Sequence, residues 1–196
     1  PNLQSETFYK QDKGNETADY SYNYQVGTLN IKSTSVFFYG AALERAFETD
    51  PDTAMSRSLG YKWGKTVLDD TPFYSQDPVT LIYSIADLVQ LTGETYYHGT
   101  VKGEEIANYA YNYQTKKDAL GGYIASIAKT TSVYLYDSKR AFEDGVTSET
   151  AMNKSETYKV TDIDLIDKTL STVLDPTGPN LQSETFYKQD KGNETA

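Results

Sequence analysis

Eighteen residues of this chain are written twice. Residues 1–18 read PNLQSETFYKQDKGNETA, and residues 179–196 read the same without a mismatch. Identity over that length is not chance, and it sets a period of 178 residues. One period followed by the start of the next predicts a tandem array. That constrains the fold, because each unit must then pack against a copy before it and a copy after it.

A weaker repeat lies inside the period. Glu6-Thr7-Phe8-Tyr9 matches Glu94-Thr95-Tyr96-Tyr97. Tyr20, Tyr22, Asn23, Tyr24 and Gln25 match Tyr109, Tyr111, Asn112, Tyr113 and Gln114. Further on, Thr34-Ser35-Val36 matches Thr131-Ser132-Val133, and Arg45-Ala46-Phe47-Glu48 matches Arg140-Ala141-Phe142-Glu143. The offset drifts from 88 to 97 residues. The expected organisation is a first half-repeat at 1–92, a second at 93–182, and the start of the next unit at 179–196. Residues 183–196 should then repeat the environment of 5–18 or pack on the preceding unit as a strand. The proline-bearing stretch 175–179 is expected to make that join stiff.

Alternation within these segments points to strands. Asp19-Tyr20-Ser21-Tyr22-Asn23-Tyr24 and Asn108-Tyr109-Ala110-Tyr111-Asn112-Tyr113 place a ring at every second position. In a strand the three rings share one face, whereas in a helix they scatter. Val36-Phe37-Phe38-Tyr39 and Val133-Tyr134-Leu135-Tyr136 are rich in strand formers, and Lys13-Gly14-Asn15, Val26-Gly27, Lys102-Gly103 and Gly121-Gly122 supply turns at meander spacing. The predicted fold is mainly β: a tandem antiparallel β-hairpin or meander repeat, solenoid- or filament-like. One short helix per half-unit is predicted at 78–91 and 162–174. Asp77-Pro78 and Thr161 begin these spans, and Val79, Ile82, Ile85, Ala86 and Val89, then Ile163, Ile166, Leu170 and Val173, follow at helical spacing. Residues 39–47 also read as helical, and an all-α helical repeat is the alternative fold.

Composition limits the partners. The chain has 18 basic and 28 acidic residues; setting aside Lys188, Lys191, Glu184, Asp190 and Glu194 of the second copy leaves 16 and 25 per period, a net −9. Such a polymer repels nucleic acid, whose binding depends on neutralising phosphates, and it repels anionic membranes. No run of 18 apolar residues is present, so no membrane span is expected. There is no cysteine, which removes disulfides, zinc–thiolate sites and thiol nucleophiles. Tyrosine dominates the aromatics, with 18 Tyr against 7 Phe and 1 Trp. An apolar ring with a polar tip suits half-wet surfaces more than a deep core.

Residues 134–140, YLYDSKR, resemble the YxYDxxGR signature of tyrosine–aspartate (YD, or Rhs-type) repeats, and residues 37–47 are a looser version. The glycine before Arg140 is missing, and Gly40 stands where the aspartate would be. The resemblance covers about a third of the chain. It implies an antiparallel β-hairpin repeat of a giant secreted or cell-surface polypeptide.

The candidate chemistry is sparse. Asp162, Asp164 and Asp167 lie close together, and Asp69-Asp70 and Glu104-Glu105 are adjacent pairs. They are candidates for calcium or simply a solvated acidic face, and no glycine-tight D-x-D-x-D-G loop accompanies them. His98 has no partner at a catalytic spacing and reads as a surface-turn residue. Trp63 and Tyr61 could stack on sugars, or pack across strands. Asn15 and Asn153 fit the acceptor pattern for N-glycosylation. Tyr20, Tyr22, Tyr24, Tyr109, Tyr111 and Tyr113 are the expected packing residues. The sequence points away from an enzyme and towards a structural tandem-repeat segment of a large extracellular or cell-surface protein, whose partners are neighbouring copies of itself. A stalk, fibre or filament is the first reading. A multivalent adhesin that binds glycans or a host or neighbouring cell through exposed Tyr and Trp is the second. No cofactor beyond calcium is implied.

Overall fold

The computed structural model describes residues 2–159, 161–170 and 181–188; the side chains of 167–170 and the junction stretch 175–179 lie outside that description. The chain forms strands β1 (Ser5–Lys10), β2 (Thr17–Tyr24), β3 (Ile31–Tyr39), β4 (Met55–Lys62), β5 (Tyr74–Gln76), β6 (Tyr83–Ile85), β7 (Leu91–His98), β8 (Ile106–Lys117), β9 (Tyr123–Tyr136), β10 (Met152–Tyr158) and β11 (Leu181–Phe186), with helix α1 (Ile163–Leu170) between the last two. Nine strands make one open antiparallel sheet in the order β1-β2-β3-β4-β7-β8-β9-β10-β11, and β5-β6 is a separate hairpin. The mainly β expectation holds, and the all-helical alternative is ruled out.

The registers of β1–β4 and β7–β10 correspond position by position. Phe8 faces Tyr20 as Tyr96 faces Tyr109; Tyr20 faces Val36 as Tyr109 faces Val133; Val36 faces Leu59 as Val133 faces Glu156. Bulges fall at matching points too, after Phe8 and Tyr96, and after Asn23 and Asn112. A bulge moves every later side chain to a new partner, so two strand sets that agree across several bulges share one local geometry.

The sheet is two-faced. One row crosses all nine strands as Phe8, Tyr20, Val36, Leu59, Glu94, Tyr111, Thr131, Tyr158 and Leu181. The opposite face carries Thr7, Ser21, Ser35, Gly60, Gly93, Asn112 and Thr130 in one row. The apolar face is covered. Over β3 and β4 lie Leu43, Val67 and Phe73 from the connecting loops, with Tyr74, Tyr83 and Ile85 of the small hairpin. Over β9 lies α1, whose Ile166 is buried against Val133 and Leu135.

The helix expected at 78–91 does not form. Asp77 is a real cap: its Oδ1 accepts the N–H groups of Val79 and Thr80 at 2.8 and 2.7 Å. The turn ends at once, because Leu81 enters the left-handed region at φ 57°. Val79 and Ile82, which a helix would have turned inward, are 87% and 67% exposed, while Tyr83 and Ile85 alternate inward as a strand. Residues 39–47 are not helix: Tyr39 ends β3, Glu44 bridges back to it, and turns fill most of the rest. Of the second expected helix, Ile163–Leu170 is present as α1, capped by Asp162, whose Oδ1 accepts the Asp164 N–H at 3.0 Å; residues 171–174 lie outside the described residues.

The motif turns close as hairpins. Tyr136 and Lys139 exchange two backbone hydrogen bonds around Asp137 and Ser138, both at positive φ, the two-residue turn whose twist suits a sheet. Tyr39 and Glu44 exchange the same pair across a longer loop.

Candidate functional site

Two seams join strand sets, and they are alike. At the first, between β4 and β7, Arg57 faces Tyr96, Ser58 faces Thr95, Leu59 faces Glu94, Gly60 faces Gly93, and after a bulge Tyr61 faces Leu91. At the second, between β10 and β11, Lys154 faces Phe186, Ser155 faces Thr185, Glu156 faces Glu184, Thr157 faces Ser183, and after a bulge Tyr158 faces Leu181. Arg57 and Lys154 are equivalent positions, as are Tyr96 and Phe186, and Glu94 and Glu184. Strand β11 carries the sequence of residues 3–8.

The side chains repeat this match. Arg57 reaches Glu94 at 3.4 Å and lies 4.4 Å over the Tyr96 ring. Lys154 reaches Glu184 at 2.5 Å and lies 5.5 Å over the Phe186 ring. Ser58 shares a hydrogen bond with the Tyr97 hydroxyl at 3.2 Å, and Ser155 shares one with Tyr187 at 3.2 Å. Glu94 is buried and accepts a hydrogen bond from the Tyr74 hydroxyl at 2.7 Å. Burial pushes its carboxyl above the ordinary glutamate value, against the pull of Tyr74 and Arg57. Burial also opposes the charge on Arg57, but Tyr96, Tyr74 and Glu94 outweigh it and raise the guanidinium. Lys154 behaves likewise: burial opposes its charge, and hydrogen bonds to Glu156 and Glu184 raise it. The Tyr158 hydroxyl, pushed up by burial and then by Glu156, donates to that carboxylate at 2.5 Å.

The other end of the sheet shows the complement. The outer side of β1 has no neighbouring strand among the described residues. There Leu3, Phe8 and Tyr9 are exposed. A shallow groove of about 580 Å³ runs between Phe8, Tyr9, Lys10 and Tyr20 and the loop at 67–70. Lys10 crosses it to Asp69 at 2.8 Å.

Within each strand set the tyrosines pack as one cluster. Phe8 stacks on Tyr20 at 4.5 Å and 15°, with Tyr22 edge-on. Tyr96 stacks on Tyr109 at 4.3 Å and 14°, with Tyr111 edge-on. All six expected packing tyrosines are half-buried, and Tyr20, Tyr109 and Tyr113 pack directly on the core. The Tyr22 hydroxyl donates to the Lys65 carbonyl at 3.1 Å, and that of Tyr24 donates to Glu6. Below them sits an arginine that the sequence reading missed. Arg45 grips Asp19 with two bonds of 2.7 Å, both groups buried. Arg140 meets Asn108 in the same place at 3.0 and 3.2 Å. Tyr39 and Tyr136 donate to the backbone carbonyls of Ala18 and Ala107.

The remaining candidates are dispersed. Tyr61 is fully buried and donates to the Asp87 carbonyl at 3.0 Å, so it is a core residue and presents no ring to a sugar. Trp63 is 38% exposed; its indole N–H donates to the Tyr123 hydroxyl at 2.9 Å, with Lys62 5.4 Å from its ring and Lys117 4.7 Å from that of Tyr123. Asn15 is exposed in a turn, whereas the Asn153 side chain accepts the Ser138 N–H at 3.1 Å. Asp162 is spent as a helix cap, Asp164 is exposed, and the Asp167 side chain lies outside the described residues. Among the described residues no three acidic or histidine side chains converge to hold a metal. Glu105 accepts the backbone N–H groups of Met55 and Gly103. His98 is exposed at the end of β7, edge-on to Phe142. Among the described residues no helix is long and apolar enough to cross a membrane.

The signal that could have found the seam was present in the sequence. Glu recurs at 6, 94 and 184, with a cation at 57 and 154. Pairing them required the strand order and the bulges. No family model, curated protein or solved structure matches the chain.

Proposed function

We propose that this chain is a structural tandem-repeat segment of a large extracellular or cell-surface protein, and that its copies join by continuing one β-sheet. A single observation carries the reading. The first strand of the second copy, β11, lies on β10 in the register that β7 adopts on β4. The join between copies therefore repeats the join inside a copy, bulge included. Sheet pairing gives a stiff connection, and a chain built this way grows by addition of strands. The resemblance to YD-type repeats supports a secreted or surface setting.

The geometry sets a length. Each period contributes eight strands to the sheet, β1–β4 and β7–β10. At roughly 4.8 Å per strand that is about 38 Å per copy. A twist of roughly 20–25° per strand would turn successive copies by about half a turn, so the product is a helical ribbon. The charge of −9 per period keeps such ribbons apart.

The role is structural rather than catalytic. The polar groups that might serve a reaction are engaged in folding: Glu105 holds two backbone N–H groups, Asp19 holds Arg45, and Glu94 sits in the seam. Electron micrographs of chains with one, two and four copies test the reading. Rods that lengthen by about 38 Å per copy support it; globules spaced by variable gaps would refute it.

One observation favours the adhesin as a second reading. The Trp63–Tyr123 pair is exposed and flanked by Lys62 and Lys117 in an otherwise acidic chain. A glycan screen on a two-copy chain, with Trp63→Ala as control, decides it: binding lost in the control supports the adhesin, and an absence of hits removes it.

A further inference from the structure

The two half-units differ in the length of one hairpin, and the longer hairpin ends on the chain's single tryptophan. We propose that the Trp63–Tyr123 pair, with Lys62 and Lys117, is a binding site for an anionic sugar, whose ring packs on the aromatic pair and whose carboxylate or sulfate is held by the two ammonium groups. This inference rests on the adhesin reading above and names the ligand class of that site.

Between Gln25 and Thr34 the first half-unit has 8 residues, and between the matching Gln114 and Thr131 the second has 16. The extra residues lengthen the strands rather than the turn. β2 and β3 stop pairing at Tyr24 and Ile31, whereas β8 and β9 pair on to Lys117 and Tyr123. A bulge between Gln114 and Lys116 has no counterpart in β2–β3, and a bulge bends the strand that carries it. Ala125 then bridges Val89, and the Ser126 N–H donates to the Leu88 carbonyl at 2.9 Å. The arm thereby brings Tyr123 of β9 to Trp63 at the end of β4, although β7 and β8 lie between those strands in the sheet. Insertions that break the match between repeats map to loops on one face, often the binding face.

Trp63 is fixed in place. It sits at φ 64°, with its N–H on the Lys32 carbonyl at 2.9 Å and its carbonyl accepting the Thr34 hydroxyl at 3.0 Å. Its indole N–H is taken up by the Tyr123 hydroxyl, whose own proton has no acceptor among the described residues and is left as a donor. Lys62 and Lys117 stand over the two rings, and neither forms an ion pair among the described residues, whereas Lys10, Arg45, Arg57, Lys65 and Lys154 all do. Two unpaired lysines side by side are unexpected in a chain of 28 acidic and 18 basic residues. The acids of the adjoining segments are engaged elsewhere: Asp118 accepts the N–H groups of Leu120 and Gly122, and Asp87 holds Lys65 at 2.6 Å. The resulting field acts on Tyr123. The hydrogen bond from Trp63, and then Lys117 and Lys62, pull its hydroxyl below the ordinary tyrosine value, so the surroundings favour negative charge.

A glutamate or aspartate side chain of a protein could meet the lysines, but it brings no apolar face to the rings. A uronate or a sulfated sugar brings both on one ring, a C–H face and an anion. One tryptophan per period gives one such site per copy, and an array multiplies a weak affinity.

The fluorescence of the only tryptophan reads the site directly. The full chain is titrated with an alginate oligosaccharide, which carries carboxylates, a heparin oligosaccharide, which adds sulfates, a neutral dextran oligosaccharide, and polyglutamate. Alginate, heparin or both should bind, more weakly at high salt, and dextran and polyglutamate should not. Alginate binding shows that a carboxylate suffices; binding of heparin alone shows that sulfate is needed. Replacing Lys62 and Lys117 together by Gln should weaken binding by about tenfold or more. Tyr123→Ala, outside both core clusters, should do the same, so a folding failure in one variant leaves the other decisive. Lys13→Gln, at the opposite end of the strands, should change nothing. Unchanged affinity in the lysine and tyrosine variants would overturn the proposal, as would polyglutamate bound as tightly as the sugars. Dextran bound as tightly as the anionic sugars would overturn this inference and leave the adhesin reading standing, whereas no binding by any sugar would overturn both.

Discussion

Asp19 and Arg45 form a fully desolvated ion pair, and its worth lies in what happens when one partner is removed. Arg45→Ala leaves a buried carboxylate uncompensated and should cost about 3–5 kcal/mol. Asp19→Asn copies the arrangement that Arg140 and Asn108 already use, so it should cost about 1–3 kcal/mol. Urea unfolding of both variants measures this; equal losses would contradict the account. Glu94 makes a pH prediction with the opposite sign to an ordinary ion-paired carboxylate. Its folded-state pKa is raised from 4.5, so between that value and the raised one the folded state binds the proton more than the unfolded state does. Stability from this site is therefore lost as pH rises through that window. The neutral mimic Glu94→Gln should gain on the unaltered chain as pH goes from 4 to 7. A constant difference across that range would contradict the cause assigned to the shift. Neither residue stood out in the sequence. Asp19 reads as one polar position in an alternating strand, and Glu94 as a surface acid beside a glycine; only the fold brings Arg45 from the loop after β3 onto Asp19, and Arg57 of β4 diagonally across the seam onto Glu94.

Among the elements, strands were more legible than their interruptions. The tyrosine alternation announced β2 and β8, because period two with rings on one side has no helical equivalent. The bulges carried no such mark, since any residue can occupy them. Residues 78–91 misled for a physical reason: Asp77 does cap a turn, but the following apolar residues serve a hairpin that lays Phe73, Tyr83 and Ile85 over the sheet. The sequence signal reported a true local event and overstated its length. The hairpin at Asp137-Ser138 gives a test at this scale. Ser138 sits at φ 67°, a conformation that costs a residue with a side chain about 1 kcal/mol and costs glycine little. Ser138→Gly should stabilise by about that amount, raising the melting temperature by roughly 2–4 °C. A fall would mean that the Ser138 side chain is needed where it stands.

For the whole molecule, the repeated eighteen residues acquire a place. As sequence they indicate only that a unit recurs. In the structure Leu181–Phe186 is a strand on β10, in the register that β7 takes on β4. The proposed joining of copies by sheet pairing was not legible in the sequence, because residues 1–18 offer the same pattern for a strand on a neighbour and a strand on itself. A continuous sheet also bears on cooperativity. Arg57 pairs with Glu94 at one seam and Lys154 with Glu184 at the other, so under the proposed tandem reading unfolding one copy would strip partners from the next.

Denaturant unfolding of covalently joined copies tests this most directly. A two-copy chain should unfold in a single transition at a higher midpoint than a one-copy chain, with a denaturant dependence that grows with the surface exposed together. Equal midpoints and equal slopes for one and two copies would contradict the account, because they would mean that the seam contributes nothing and that each copy stands alone.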